Sequence, residues 1–160
     1  MPSRRALILG GLAASAGFPP TARAQSSPGR KLNDSAAPRT LLRLQRRGIE
    51  VNGKPASVFG VRQPDGTVGI RTAVGQPFRV RVENHIDQPS LLHWHGLTPP
   101  WRQDGVPGVS GPAIPPGGSA DYDFPLRFGG TFWMHSHQGL QEQLLMAAPL
   151  IVRDQRDRPD

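Results

Sequence analysis

The amino-acid sequence predicts a single all-β domain, built as an antiparallel sandwich with Greek-key connections. Three observations lead to this prediction. Apolar and polar residues alternate over short segments, groups of Gly, Pro, Asn and Asp separate these segments, and no long stretch has helical periodicity. A chain of 160 residues can bury one substantial core and hardly two.

Eight segments have the character of strands. The clearest alternation places Phe78, Val80 and Val82 on one side, and the segment SADYDFPL repeats the pattern. Turn signals such as VNGK, PDGT and PPGGS lie between segments. We expect one helical turn at most, around residues 140–145. In chain order, the predicted strands are 41–46, 57–62, 67–72, 78–82, 89–95, 120–126, 130–137 and 147–153.

The longest segment without strand character is residues 98–118, which contains six prolines and five glycines. A loop of this length in a compact domain is usually functional or disordered. Because Pro and Gly recur so closely along it, we expect this loop to follow a fixed path.

The N-terminus has the pattern of an export signal. Arg4 and Arg5 precede an apolar run over residues 6–18, and a small-x-small triplet ends at Ala24. The paired arginines fit the twin-arginine type, and the run is shorter than the ~20 residues that a membrane-spanning helix needs. We therefore predict a signal at 1–24, a flexible leader at 25–39, the folded domain at 40–153 and a charged tail at 154–160, in a periplasmic or secreted protein with no membrane segment after cleavage.

Charge and cysteine content exclude several classes of function. The net charge of +7 falls by three when the predicted signal is removed, and the arginines of the domain are scattered among apolar residues rather than clustered. That distribution is typical of solvated strand faces and gives no reason to expect a nucleic-acid partner. The sequence has no cysteine, so a blue-copper site with a cysteine ligand and a zinc ribbon are both excluded within these residues.

Two His-x-His motifs use four of the five histidines. LLHWHGL contains His93 and His95, and FWMHSHQGL contains His135 and His137; these are the four motif histidines. On a strand, residues two apart share a face about 6.5–7 Å apart. If both strands end at one rim of the sandwich, four imidazoles converge on one metal site. Nitrogen ligands favour copper or zinc, and copper(II) leads in the Irving-Williams order.

A structural role, rather than metal binding, is the alternative for each histidine and the expectation for the tryptophans. A histidine on a strand is often only a hydrogen-bonded residue, and we take His85, which stands alone, to be structural. Trp94 and Trp133 are expected to face away from the ligand side and to fill the core.

The order of motifs resembles a known family. HWHGL, DGVPGVS, AIPPGG, GTFWMHSHQGLQEQ and APLIV follow one another as they do in the first cupredoxin domain of bacterial multicopper oxidases of the copper-resistance and laccase-like type. The resemblance covers most of residues 48–153. It implies a cupredoxin-like (plastocyanin-like) Greek-key β-sandwich with copper as the cofactor. Met134 and the segment LLMAAPLIV depart from the family pattern.

The resemblance also implies roles for single residues. His93 would bind the type 2 copper, His95 one type 3 copper, and His135 and His137 the type 3 pair. Asp104 matches an acidic residue that handles protons during dioxygen reduction, although Asp–Gly is also a common turn pair.

A complete oxidase of this family needs eight histidines at its trinuclear centre and a cysteine at its type 1 site. This sequence has four suitably placed histidines and no cysteine. We therefore expect a domain that oxidises a reducing substrate with dioxygen only together with a second chain or domain that supplies the other ligands. The alternatives are a stand-alone exported protein that buffers or delivers copper without turnover, and a structural or zinc-binding sandwich.

Overall fold

A computed structural model describes residues 39–156. The predicted signal and almost all of the predicted leader, together with residues 157–160 of the predicted tail, lie outside the described residues. Eight strands alternate with turns, and each falls on one of the predicted segments. The strands are β1 (Thr40–Val51), β2 (Lys54–Arg62), β3 (Ile70–Ala73), β4 (Pro77–Asn84), β5 (His93–His95), β6 (Ser119–Pro125), β7 (Gly130–His135) and β8 (Ala147–Arg153).

The strands form two four-stranded sheets, in the orders β2-β1-β4-β6 and β3-β8-β7-β5. The pairs β1–β4 and β3–β8 are parallel, whereas the remaining pairs are antiparallel. The sheets are therefore mixed rather than purely antiparallel. The reason is the connection through β3: the chain leaves β2 for the second sheet and returns on the other side of β1, running in the same direction as β1.

One apolar core lies between the sheets. The alternating residues predicted to face inward, such as Phe78, Val80 and Val82, are all buried. Both sheets contribute to a single buried cluster that includes Leu42 and Val80 from one sheet and Trp94 and Leu150 from the other. Burial of this size is the main source of stability for a cysteine-free domain.

The outward residues of the first sheet form cross-strand ion pairs. Arg81 lies opposite Asp121 and Arg79 opposite Asp123 in the β4–β6 register, with N–O distances of 3.1 Å and 3.2 Å. Opposite charges facing each other across strands stabilise a sheet modestly. Arg79 and Arg81 thus lie on a solvated strand face, as the sequence predicted.

The loop after β5 follows a hydrogen-bonded path. A 3-10 helix covers Trp101–Gln103, and Ser90 and Ile114 exchange two backbone hydrogen bonds of 3.0 Å and 2.7 Å.

The predicted helical turn near residues 140–145 is a series of turns over residues 139–145. Among residues 39–156, no helix is long and apolar enough to cross a membrane.

Candidate metal centre

Strand register brings the two histidine motifs together. β5 and β7 are antiparallel neighbours in which His93 lies opposite His135 and His95 lies opposite Trp133. Directly opposed side chains in an antiparallel pair project from the same face. The two strands therefore place His93, His95 and His135 side by side at the edge of the second sheet, because β5 is its last strand.

These three rings form a compact group of nitrogen donors. One ring nitrogen from each lies within 4.8 Å of the other two, and Nδ1 of His95 is 3.3 Å from Nε2 of His135. Two nitrogens bound to one tetrahedral metal at about 2.05 Å would lie ~3.3 Å apart. The spacing of the donors therefore fits a transition metal without rearrangement of the backbone.

His93 is oriented by the loop that follows β5. Its Nδ1 lies 2.7 Å from the backbone carbonyl oxygen of Asp104 and 3.3 Å from the Oδ1 atom of the same residue. If Nδ1 carries the proton and donates it to this carbonyl, Nε2 retains the lone pair that a metal requires. A carbonyl that fixes the tautomer in this way is the usual support of a metal-binding histidine.

Gly105 allows that loop to approach the strand. Its φ of +72° is in the left-handed region, and a Cβ atom there would lie 1.8 Å from the carbonyl oxygen of Leu92. Only glycine fits this approach. Asp104 thus ends the 3-10 helix and makes the contact that supports His93, while Gly105 lets the chain pass close to Leu92.

His137 reaches the centre by a different route from the one predicted. β7 ends at His135, so the prediction that His135 and His137 lie on one strand face is wrong. The ring of His137 nevertheless stacks on His93, with centroids 4.4 Å apart and planes 20° apart, and its centroid is 4.8 Å from that of His135. All four motif histidines converge, although His137 is outside the group of three close nitrogens.

Burial lowers the pKa of His135, and nearby His137 and His93 lower it further, while the Glu142 carboxylate acts in the opposite direction. Burial is also the main cause of the lowered pKa of His137, with a contribution from His93. Lowered pKa values keep both rings neutral at neutral pH, and the neutral imidazole is the form that binds a metal.

The two tryptophans beside the motifs have different environments. Trp94 is fully buried in the core, as predicted, and its Nε1 donates to the carbonyl oxygen of Gln103 at 3.0 Å. Trp133 does not face away from the ligand side: its ring stacks on His135 with centroids 4.0 Å apart and planes 14° apart. The spacing of two between Trp133 and His135 on one strand already carried this signal.

Sequence reasoning missed two residues on the turn after His137. Gln141 is buried and accepts hydrogen bonds from Ser90 at 2.7 Å and Ser136 at 2.8 Å. Glu142 places Oε2 3.2 Å from Nδ1 of His135. Both residues lie within the motif GTFWMHSHQGLQEQ, but the motif alone gave them no role, because their contacts depend on how the turn folds back on the sheet. His85 is half exposed and hydrogen-bonds with the Glu83 carboxylate at 3.1 Å, away from the other histidines, in keeping with a structural role.

Comparison with protein families and known proteins gives a consistent result. A family model described as multicopper oxidase matches residues 44–157. Copper resistance protein A of Pseudomonas syringae pv. tomato is 33% identical over 118 residues, which are 69% of this chain and 19% of that protein. Laccase-1 of Cryptococcus neoformans var. neoformans serotype D is 42% identical over 90 residues, covering 52% of this chain and 14% of the laccase.

Solved structures agree on the fold. The multi-copper oxidase from Pseudomonas thermotolerans superposes with a TM-score of 0.65 at 31% identity, covering 73% of this chain and 29% of that one. This likeness confirms the all-β, cupredoxin-like fold class. The chain spans less than a fifth of the length of the curated relatives described above.

Proposed function

Because the chain belongs to the multicopper oxidase family, whose cofactor is copper, we propose that its four motif histidines are copper ligands of a type 2/type 3 centre. The observation that carries this proposal is the pair of ring nitrogens from His95 and His135, 3.3 Å apart with a third nitrogen close by. Nitrogen donors at this spacing suit copper(II). The matches to multicopper oxidases and laccases do not favour the alternative of a stand-alone copper buffer.

We assign individual ligands by combining the resemblance with the geometry. His95 and His135 share one type 3 copper, which agrees with the spacing of their nitrogens. His93 binds the type 2 copper through Nε2, because its Nδ1 faces the Asp104 carbonyl. His137 binds the second type 3 copper. It follows the last residue of β7 and stacks on His93, with ring centroids 4.4 Å apart.

The copper centre would pass four electrons from the reducing substrate to each dioxygen molecule, and reduction to water also consumes four protons. Asp104 handles protons on this side of the site. Its carboxylate lies 3.3 Å from Nδ1 of His93, and the Asp104 side chain is 32% exposed. A carboxylate that contacts both a ligand ring and water can take up and release protons without movement of the backbone.

The reaction as a whole requires residues beyond these. The sequence contains five histidines and no cysteine. A further domain or a second chain would supply the remaining ligands and the type 1 copper site at which the reducing substrate would be oxidised. The proposed location is the periplasm or the cell exterior, reached through the twin-arginine-type signal at residues 1–24.

Copper stoichiometry of the purified chain tests the ligand assignment. We expect elemental analysis to find copper bound to the wild-type chain, and electron paramagnetic resonance to show a type 2 signal without a type 1 signal. The double variant His93→Ala/His135→Ala should lose this copper, whereas His85→Ala should retain it because His85 contacts Glu83 at the surface and is not among the grouped histidines. Full copper content in the double variant would contradict the proposal.

Oxygen uptake tests the need for a further domain or chain. With a phenolic reductant, the copper-loaded chain alone should consume no oxygen, because it has no cysteine for a type 1 site. Sustained uptake that depends on the four motif histidines would show that copies of this chain complete the centre by themselves.

A further inference from the structure

The imidazole of His135 has one nitrogen in the candidate metal centre and the other in the protein interior. Nε2 faces His95. Nδ1 is buried and has no hydrogen-bond partner within residues 39–156. A neutral imidazole that binds a metal through Nε2 must carry its proton on Nδ1, and a buried N–H without an acceptor is unfavourable. His135 therefore requires an acceptor beside Nδ1.

Glu142 offers that acceptor. Its Oε2 lies 3.2 Å from Nδ1 of His135, although the two groups are not aligned as a hydrogen bond. The Glu142 side chain is 37% exposed, while that of His135 is 5% exposed. Because the carboxylate is at the surface and the imidazole is held in place, a small rotation of the carboxylate is enough to align the contact.

We propose that Glu142 is a positioning residue that accepts the Nδ1 proton of His135 and so directs the unprotonated Nε2 into the metal centre. The proposal rests on the proposed function for the identity of the metal, but its effect on the His135 tautomer does not depend on any metal. Carboxylates that hold metal-binding histidines in this way orient the ring and raise its basicity.

The turn that carries Glu142 is anchored beside the histidines. Gln141 accepts hydrogen bonds from Ser90 and Ser136, and its Nε2 donates to the carbonyl oxygen of Pro89 at 3.0 Å. Ser136 lies between the two histidines of its motif, and Ser90 precedes the first motif by three residues. The anchor therefore connects Glu142 to both histidine-bearing segments.

The backbone of the same turn is strained. Leu145 has a φ of +66°, a left-handed conformation that is unfavourable for a residue with a Cβ atom. The backbone N–H of Met146 then donates to the carbonyl oxygen of Gln141 at 2.9 Å. Strain of this kind persists where the surrounding contacts determine the path of the chain, and here that path brings Glu142 to His135.

Nitrogen NMR of the metal-free chain tests the proposal directly. At a pH of about 8, where histidines are largely neutral, the ¹⁵N shifts of His135 should show a proton on Nδ1. Glu142→Gln retains an acceptor oxygen and should keep this tautomer. Glu142→Ala and Glu142→Met lack an acceptor and should give a mixture of tautomers. Glu50→Gln, an exposed glutamate on β1, controls for the loss of one negative charge.

Copper affinity, measured by competition with a chelator, provides the second readout. Loss of the acceptor should weaken binding by about 10- to 100-fold in Glu142→Ala and Glu142→Met, and less in Glu142→Gln. An unchanged His135 tautomer in both variants that lack an acceptor would overturn the positioning role. If the wild-type chain bound no copper while the tautomer changed as expected, the proposed function would fail and the role of Glu142 would stand.

Discussion

The two His-x-His motifs have the same spacing but are built differently. The first lies wholly on β5, and its central residue, Trp94, is fully buried in the core. The second begins on β7 and leaves it after His135, and its central residue, Ser136, donates a hydrogen bond to the buried side chain of Gln141. The first motif is thus held mainly by apolar packing and the second by a polar network.

This difference shows that two motifs with the same His-x-His spacing can be held in place by different kinds of contact. A strand places residues two apart on one face without further help. His137 follows the end of a strand, so the turn over residues 139–145 must hold its segment in place. We therefore expect Trp94 to hold the first motif in place by packing in the core, and Ser136 to hold the second motif in place by hydrogen bonds.

Replacing the central residue of each motif should give the largest difference between the motifs in lost free energy of unfolding. Trp94→Ala removes a fully buried side chain that contacts Phe78 and Tyr122 edge-on. We expect it to lower the free energy of unfolding by about 3–5 kcal/mol. Ser136→Ala removes two hydrogen bonds of a buried hydroxyl and should cost about 1–3 kcal/mol.

Denaturant unfolding of the metal-free chain measures both losses. Trp101→Ala is the matched control for the tryptophan, because that side chain is 58% exposed and its removal should change stability by less than about 0.5 kcal/mol. Equal losses in Trp94→Ala and Ser136→Ala would remove the distinction between an apolar and a polar support.

The support of His93 by its loop can be tested at a glycine. Gly105→Ala adds a Cβ atom that would lie 1.8 Å from a backbone carbonyl oxygen at a φ of +72°. We expect a loss of about 3 kcal/mol from backbone strain and overpacking together, and weaker copper binding, because the contact between Asp104 and His93 is displaced.

Gly108→Ala is the control that separates the backbone cost of the substitution from the clash of an added Cβ atom with a neighbouring carbonyl. Gly108 has the same φ of +72°, but nothing lies within 4 Å of an added Cβ. It should therefore show only the backbone cost of about 1–2 kcal/mol and normal copper binding. Similar copper affinities in the two variants would mean that the loop does not position His93.

The sequence predicted the strands and the shared site better than it predicted the details of the site. Alternation of apolar and polar residues encodes which face a side chain occupies, so all eight strand segments and the shared face of His93 and His95 were accessible. The register that sets His93 opposite His135 came only from the structure. Alternation does not encode where a strand ends or in which direction it runs. The departure of His137 from β7 and the parallel pairs were therefore not predictable from it. Gln141 and Glu142 gain their roles from a turn that folds back, which depends on long-range contacts.

The smallest expected effect is the pH dependence contributed by the second motif. The pKa values of His135 and His137 are lowered in the folded chain, mainly by burial, from an ordinary value of 6.5. The unfolded chain therefore binds more protons at mildly acidic pH, and the free energy of unfolding should decrease as the pH falls through 6.5 toward the folded pKa values. Above 6.5 this contribution to stability is fully present.

Urea unfolding of the metal-free chain between pH values of about 7.5 and 5.5, the range in which histidines titrate, measures this slope. The lowered pKa values of Asp65 and Glu83 act in the same direction, but their ordinary values of 3.8 and 4.5 place that effect at more acidic pH. The double variant His135→Gln/His137→Gln should flatten the slope within the histidine range. An unchanged slope would mean that burial of the second motif does not disfavour its protonation. The polar support would then leave these rings as easily protonated as exposed histidines, and copper would have to compete with protons at neutral pH.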